Sequence, residues 1–204
     1  HAVLAHHYKY GAGTTVRFVT SDNTVVTRTV VQAARIIYNS QETDALMVLF
    51  DSDLPDTITP CKLFPSPFSD YLPAGIAENS YAATDIPLLA LDYEEKGLAL
   101  DFLTEGATPN MIATYPIIQF NEPSLADRLS FYEAPIVGDS GNPIFAAIGS
   151  ELWLVSTFTG TGAGPFYGAM VTELNAMITT LDTLQGDITG HTVTVGDLSS
   201  YTTY

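Results

Sequence analysis

The sequence predicts an all-β protein built from two antiparallel halves and followed by one late helix. Short runs rich in β-branched and aromatic residues recur along most of the 204-residue chain and end at turn-forming residues, as strands do. Five prolines fall within residues 51–75, a density that regular sheet excludes, so this stretch separates the strands into two groups. A later segment has the three- and four-residue spacing of an amphipathic helix.

The first half begins with a predicted hairpin. Residues 14–20 alternate between apolar and polar side chains, residues 21–23 read as a turn, and residues 24–31 return as a β-branched strand. Residues 45–50 form a continuous apolar run, which indicates a strand covered on both faces.

The second half contains six further runs with the composition of strands. They cover residues 79–83, 87–91, 98–102, 115–120, 144–147 and 152–158. The predicted organisation is therefore a first β half over residues 1–60, a Pro-rich connector over 61–78, a second β half over 79–169 and a C-terminal region over 170–204.

The C-terminal region combines a helix with a tail. Apolar residues recur at helical spacing and Gly186 is the expected stop; they are Met170, Val171, Leu174, Met177, Ile178, Leu181 and Leu184. Residues 191–195 alternate like one more edge strand, and the residues after 198 are polar and aromatic.

Residues 138–143, which read G-D-S-G-N-P, have the composition of a nucleophile turn. A serine hydroxyl is a poor nucleophile near neutral pH, so it needs a base for its proton and donors for the oxyanion. Gly138 and Gly141 allow the backbone to fold around Ser140, which would direct the amides of Gly138 and Ser140 to one point. The same residue types also form ordinary reverse turns, so the motif needs support from the rest of the chain.

That support comes from the order of two other residue types. A Ser-His-Asp triad needs a histidine and a buried aspartate, and in one known chain order both precede the serine. His1, His6 and His7 lie at the start of the chain, and Asp44 opens the apolar run that precedes Ser140. The order is therefore His, Asp, Ser.

With these three strings the sequence resembles the chymotrypsin-like (trypsin-like) serine proteases over nearly its whole length. Residues 5–7 read A-H-H, residues 44–46 read D-A-L, and the nucleophile string departs from the family's G-D-S-G-G-P only at Asn142. The resemblance implies two antiparallel β-barrels with a late helix on the second, and a cleft between them. It implies His7, Asp44 and Ser140 as the triad, with the oxyanion hole at the Gly138 and Ser140 amides.

The identity of the base is an open alternative between His7 and His6. Counting back from the V-x-F string at residues 16–18, which resembles the family's next strand, favours His7 and leaves His1 a structural role. A metal cluster of the three histidines is disfavoured, because adjacent residues of a strand face opposite sides. We therefore predict no metal and no cofactor.

The resemblance also implies residues that contact substrate. Ser156, Thr157 and Phe158 resemble the strand that pairs with substrate backbone, and Ala134, six residues before Ser140, takes the position of the pocket floor. The loop over residues 160–164 either borders the pocket or is a simple connector. In the family the aspartate beside the nucleophile is held by an ion pair, for which Arg128 is a candidate partner of Asp139.

Composition limits the partners. The chain has 23 acidic and 7 basic residues and a formal charge of −16, which disfavours binding to nucleic acid or to anionic membranes. No apolar run approaches the ~20 residues of a membrane span. Cys61 is the single cysteine, so no intrachain disulfide forms, and we expect a small buried residue there. The resemblance is thus to disulfide-free microbial members.

The predicted function is that of a serine endopeptidase acting on protein or peptide substrates through an acyl-enzyme. Because the family places strands before its catalytic histidine, we expect residues upstream of His1, with any secretion signal among them and an extracellular or cell-surface location. The alternative is an inactive protease-like domain that serves as a binding module, or as a subunit of an extracellular assembly through self-assembly or a surface partner. The 11 tyrosines suit such contacts. A purely structural β-sandwich would leave the ordered His, Asp and Ser a coincidence.

Overall fold

Two antiparallel sheets, each curled into a half-barrel, make up most of this computed structural model. The structure describes residues 1–66, 86–94, 96–105, 114–160, 162–187 and 190–199. The chain is mostly β with a late C-terminal helix, so the predicted all-β, two-barrel architecture is confirmed. No helix in these ranges is long and apolar enough to cross a membrane.

The first sheet has the strand order β1-β4-β3-β2, with every neighbouring pair antiparallel. The predicted hairpin and the covered strand are both present. Strand β3 is longer than expected and turns directly into β4 at Asn39 and Ser40, whose positive φ angles of 46° and 66° suit a tight hairpin. The strands are β1 (Ala2–Ala5), β2 (Thr15–Val19), β3 (Val25–Tyr38) and β4 (Gln41–Phe50).

The second sheet has the order β10-β7-β6-β5-β8-β9. Five of the six predicted strands are confirmed within one or two residues at most ends, and the sixth, residues 79–83, lies outside the described residues. A short helix α1 (Ala126–Leu129) was not predicted. The strands are β5 (Leu88–Leu91), β6 (Gly97–Glu105), β7 (Ile117–Asn121), β8 (Pro143–Ile148), β9 (Glu151–Thr157) and β10 (Ala163–Pro165).

The outer edge of β9 is covered by the connector. Leu154 donates its amide to Lys62 O at 2.8 Å and accepts at its carbonyl from the Phe64 amide at 2.9 Å. Leu63 in turn forms a parallel bridge with Val195. In place of the predicted edge strand over 191–195, the described residues show a single bridge at Val195. Cys61, at the start of this segment, is exposed, so the expectation of a buried residue is wrong.

Helix α2 (Val171–Gln185) confirms the predicted helix, and Gly186 ends it in the left-handed region at φ 75°. Its apolar face packs on β3 and β4 of the first sheet, in a core that includes Ile36, Met47 and Leu174. The resemblance implied a helix on the second barrel, and this expectation is corrected. The apolar face of α2 is complementary to the apolar surface that β4 presents on this side of the sheet.

The second sheet encloses a separate core. Its members include Phe102, Phe120 and Phe158. The ring centroid of Phe120 lies 6.4 Å from that of Phe102 and 6.2 Å from that of Phe158. The candidate site lies where β1 ends, near the start of β4 and just before β8.

Candidate active site

His7 and Asp44 form a pair with two hydrogen bonds. The His7 Nδ1 atom lies 2.7 Å from Asp44 Oδ2, and the His7 backbone amide donates to Asp44 Oδ1 at 2.8 Å. The Asp44 side chain is 10% exposed and that of His7 is 36% exposed. An ionised carboxylate only accepts, so the proton of His7 lies on Nδ1 and the Nε2 lone pair is left for a substrate-side proton.

Strand pairing brings these two residues together. Ala5, the last residue of β1, is opposite Ala45 of β4, so the chain leaving β1 passes the Asp44 carboxylate. It does so in a 3₁₀ turn over His6–Tyr8 that ends at Lys9, a residue with a φ of 53°. The turn fixes which histidine faces Asp44.

His6 lies in a different environment from its neighbour. It is half-buried and makes no hydrogen bond with Asp44 among the described residues. Burial, followed by the nearby Arg35 guanidinium, lowers the pKa of His6. Of the two candidates for the base, the one that Asp44 contacts is His7.

Asp44 is held from a second direction by a tyrosine of the other half. The Asp44 backbone amide donates to the Tyr115 hydroxyl at 3.3 Å. Burial raises the pKa of Tyr115, so this hydroxyl stays protonated near neutral pH. The acid of the pair is thereby enclosed where the two halves meet.

The turn that carries Ser140 is fixed by its own backbone. Gly138 and Gly141 have φ angles of 118° and 86°, a region that favours glycine. The Gly141 amide donates to Phe158 O at 2.7 Å, and the Asn142 amide donates to Asp139 O at 3.0 Å. Ser140 is therefore presented on a tight turn just before β8.

Asp139 anchors this turn from below. The whole residue is 2% exposed. Its carboxylate accepts hydrogen bonds from the Tyr93 amide at 2.7 Å and from the Ile136 amide at 2.6 Å. Arg128, the expected partner of Asp139, instead lies 3.5 Å from Asp101. Backbone amides supply the stabilisation that the resemblance assigned to an ion pair.

Two amides of the turn remain unused. Within the described part of the chain, neither the Gly138 amide nor the Ser140 amide donates a hydrogen bond, whereas those of Asp139, Gly141 and Asn142 do. These two are the donors that the sequence predicts for an oxyanion hole. Paired donors without partners beside a serine hydroxyl can stabilise a developing negative charge.

Tyr8 connects the 3₁₀ turn that carries His7 with the turn over residues 138–143 that carries Ser140, called the serine turn below. Its ring centroid is 4.5 Å from that of His7, and its hydroxyl donates to Gly138 O at 3.5 Å. A Cβ atom added at Gly141 would lie 3.0 Å from the Tyr8 ring and 3.5 Å from the Ala5 side chain. His7 and Ser140 thus belong to neighbouring turns, although the described residues include no hydrogen bond between their side chains.

The three consecutive residues predicted to contact substrate backbone are almost fully buried. Ser156, Thr157 and Phe158 are 0%, 3% and 0% exposed. Thr157 Oγ1 lies 2.7 Å from Tyr167 Oη, and a Cβ at Gly164 would lie 1.9 Å from Thr157 O, so β10 packs closely on this part of β9. The backbone of Phe158 is already hydrogen-bonded to the turn that carries Ser140, through its carbonyl to the Gly141 amide and through its amide to Asn142 O. Contact of these three residues with a substrate stays a prediction.

Ala134 is exposed, and the carboxylate of its neighbour Glu133 lies 3.4 Å from Lys96 Nζ. The acid nearest to the expected pocket floor is therefore paired with a lysine on the surface. The role of Ala134 in a pocket stays a prediction.

Sequence reasoning missed three tyrosines of this site: Tyr8, Tyr93 and Tyr115. The signal for Tyr8 was its position directly after His7. Nothing local distinguished Tyr93, whose ring lies 3.3 Å from the position of a Cβ on Gly138, or Tyr115, because their contacts cross between distant segments.

Comparison with models of protein families and with curated proteins finds no match for this chain.

Proposed function

We propose that the protein is a serine endopeptidase with His7 as general base, Asp44 as the residue that orients it and Ser140 as nucleophile. The observation that carries the proposal is the doubly hydrogen-bonded His7–Asp44 pair next to a glycine-flanked serine turn. The pair comes from the first sheet and the serine precedes a strand of the second, as a cleft between two halves requires.

The reaction follows from these positions. His7 Nε2 takes the proton from Ser140 Oγ as that oxygen bonds to the carbonyl carbon of the scissile peptide. The carbonyl oxygen becomes negatively charged and accepts from the Gly138 and Ser140 amides. His7 then gives the proton to the leaving nitrogen, the C–N bond breaks, and an acyl-Ser140 ester remains.

Water completes the cycle by the same route. His7 takes a proton from a water molecule while the water oxygen attacks the carbonyl carbon of the ester. His7 then returns a proton to Ser140 Oγ as the acid product leaves. Asp44 accepts from His7 Nδ1 throughout and stabilises the imidazolium without taking its proton. The absence of a hydrogen bond between the His7 and Ser140 side chains among the described residues is compatible with this scheme, because catalytic hydrogen bonds often form only with substrate bound.

The location that accompanies this proposal is extracellular or at the cell surface, and the substrates are proteins or peptides. The lack of an intrachain disulfide leaves stability to the two cores described above.

The test is covalent labelling of the purified chain by a fluorophosphonate probe. We expect labelling at Ser140, loss of labelling in Ser140→Ala, and retention in Ser130→Ala, whose hydroxyl sits on an exposed residue. The probe forms a bond to an activated oxygen only, so labelling separates a working base from a bystander histidine. A folded wild-type chain that takes up no probe would contradict the proposal.

A second function is favoured by exposed apolar side chains beside the serine turn. Tyr93, Ile136 and Val137 are 72%, 55% and 99% exposed, and all three lie on segments that contact Asp139 or Gly138. Such side chains suit either substrate contact or the binding of a protein partner by an inactive domain. A chain that is unlabelled by the probe but binds a partner, and loses that binding in Val137→Ser, would establish the second function instead.

A further inference from the structure

A second cluster of ligand-type side chains lies at the opposite end of β1 from His7. It consists of His1, which precedes β1, Asp182 in the last turn of α2, and His191 after the helix. One nitrogen or oxygen atom from each lies within 4.8 Å of the others. The start of the chain and the region around the end of α2 thus bring two imidazoles and a carboxylate together.

The contacts within the cluster involve both carboxylate oxygens. His1 Nε2 lies 2.9 Å from Asp182 Oδ1, and His191 Nδ1 lies 3.1 Å from Asp182 Oδ2. The two imidazole centroids are 5.6 Å apart with the rings inclined at 59°, so the rings do not stack. The carboxylate lies between the two rings and is shared by them.

One atom of the cluster has no ordinary partner. His1 Nε2 is buried, and among the described residues no group makes a hydrogen bond with it, although Asp182 Oδ1 is within reach. The short distance without hydrogen-bond geometry means that this nitrogen is not directed at the oxygen. A ligand of a metal ion has this geometry, because it is directed at the ion and not at the neighbouring ligand. His191 Nδ1, in contrast, makes a hydrogen bond with Asp182 Oδ2 that an ion would replace.

Burial favours a closed site with one open side. The side chains of Asp182 and His1 are 5% and 12% exposed, whereas that of His191 is 47% exposed. Asp187 Oδ2 lies 3.8 Å from His191 Nδ1 on that open side and is 37% exposed. Asp187 thus places a fourth ligand-type oxygen beside the cluster.

We propose that His1, Asp182 and His191 bind a divalent transition-metal ion of the zinc class, with Asp187 or water as the fourth ligand. Imidazole nitrogen with carboxylate oxygen is a ligand set that zinc accepts, whereas calcium and magnesium favour oxygen ligands alone. Bonds of about 2.1 Å to a tetrahedral ion set ligand atoms about 3.4 Å apart. The separations of 2.9 Å and 3.1 Å from Asp182 to His1 and His191 would widen by up to about half an ångström, and the 3.8 Å between Asp187 and His191 would narrow by a similar amount.

The proposed ion would have a structural role and goes beyond the peptidase function proposed above. Its ligands link the start of β1 to the end of α2 and to the segment that reaches Leu63 through Val195. Because these segments are brought together only in the folded chain, an ion bound there stabilises the fold by mass action. The competing account is a set of imidazole–carboxylate pairs that bind no metal.

Zinc binding to the full chain, free of any affinity tag and first treated with a chelator, tests the proposal. We expect calorimetry with zinc chloride in a non-coordinating buffer near neutral pH to show one ion per chain, and we expect zinc to raise the Tm. Loss of a group that only supports a ligand costs about 10–100-fold in affinity, so His191→Ala should weaken binding by at least that factor.

The variants separate a bound ion from a simple ion pair. His191 is half exposed, so its replacement by Ala leaves the fold intact, which the Tm in chelator checks; Asp182→Asn provides a second, isosteric variant. His6→Ala, which removes a histidine outside the cluster, should bind zinc as the wild type does. The proposal is overturned if the wild type takes up no zinc, or if His191→Ala and Asp182→Asn keep wild-type affinity, or if His6→Ala weakens binding as much as His191→Ala.

Discussion

At the scale of single residues, the candidate site depends on two hydrogen bonds from one residue to one carboxylate. The His7 amide and imidazole both donate to Asp44, so backbone and side chain are fixed together. The neighbouring His6 makes neither contact and has a pKa lowered first by burial. Adjacent histidines thus differ in the property that matters for general-base catalysis, which is the presence of an orienting acceptor.

Replacement of each histidine should separate their roles. We expect His7→Ala to reduce peptide hydrolysis about as severely as Ser140→Ala, because members of a triad act as a unit and their losses do not add. His6→Ala should retain most of the activity. The measurement is kcat/KM on a peptide substrate for each variant, and the opposite order of the two histidine variants would assign the base to His6.

A glycine substitution tests the contact between the two turns. Gly141→Ala places a methyl group in the left-handed region at φ 86° and 3.0 Å from the Tyr8 ring, so we expect losses in both stability and activity. Gly13→Ala is the matched control, since its φ is 91° and nothing lies within 4 Å of the added atom.

Both variants should lose roughly 1–2 kcal/mol of unfolding free energy from backbone strain, measured by urea denaturation. Only Gly141→Ala should lose activity per folded molecule. Equal activity of the two variants would show that the Tyr8 contact does not position the site.

At the scale of elements, the long β3–β4 hairpin and helix α2 form one unit. Ile36 of β3 and Met47 of β4 pack in one core with the helix, and Tyr167 and Met170, just before α2, complete this core. The strand that carries Asp44 is therefore supported by the helix, which gives the late helix a part in holding the acid in place.

Two leucines of the helix allow this packing to be measured. Leu174 is 1% exposed and Leu184 is 61% exposed, so the same substitution samples the buried and exposed faces. We expect Leu174→Ala to lower the free energy of unfolding by about 2–5 kcal/mol and Leu184→Ala by less than about 0.5 kcal/mol. Chemical denaturation of both variants gives the comparison, and similar losses would mean that α2 is not packed as described.

At the scale of the whole molecule, the net charge and the local site favour different substrates. A charge of −16 attracts cationic peptides to the surface from a distance. The expected pocket position holds Ala134, and the adjacent Glu133 carboxylate is engaged with Lys96. Long-range attraction can raise the encounter rate, but it does not supply a buried counter-charge.

We therefore expect cleavage after uncharged residues, small to medium apolar ones foremost. A lysine or arginine side chain enclosed without a partner costs several kcal/mol, whereas an apolar side chain has no such penalty. Cleavage of a peptide library, read by mass spectrometry, measures the preference. Dominance of arginine or lysine before the scissile bond would refute this prediction and identify Glu133 as the pocket acid. Glu133→Gln would then abolish the preference for basic residues.

The sequence by itself determined the features that depend on neighbouring residues. Alternation and turn residues predicted the strands, helical spacing and Gly186 predicted α2, and the glycines at 138 and 141 predicted a tight turn around Ser140. Each of these is a property of a short window, where backbone preference and the solvent-facing pattern act directly.

Only the tertiary structure decided what depends on distant segments. The pairing of Ala5 with Ala45 selected His7 over His6 as the partner of Asp44, and packing against β4 placed α2 on the first sheet. Backbone amides, and not Arg128, took the Asp139 carboxylate. The cluster of His1, Asp182 and His191 likewise has no local signature, because its members meet only when strand register and helix packing bring remote parts of the chain together.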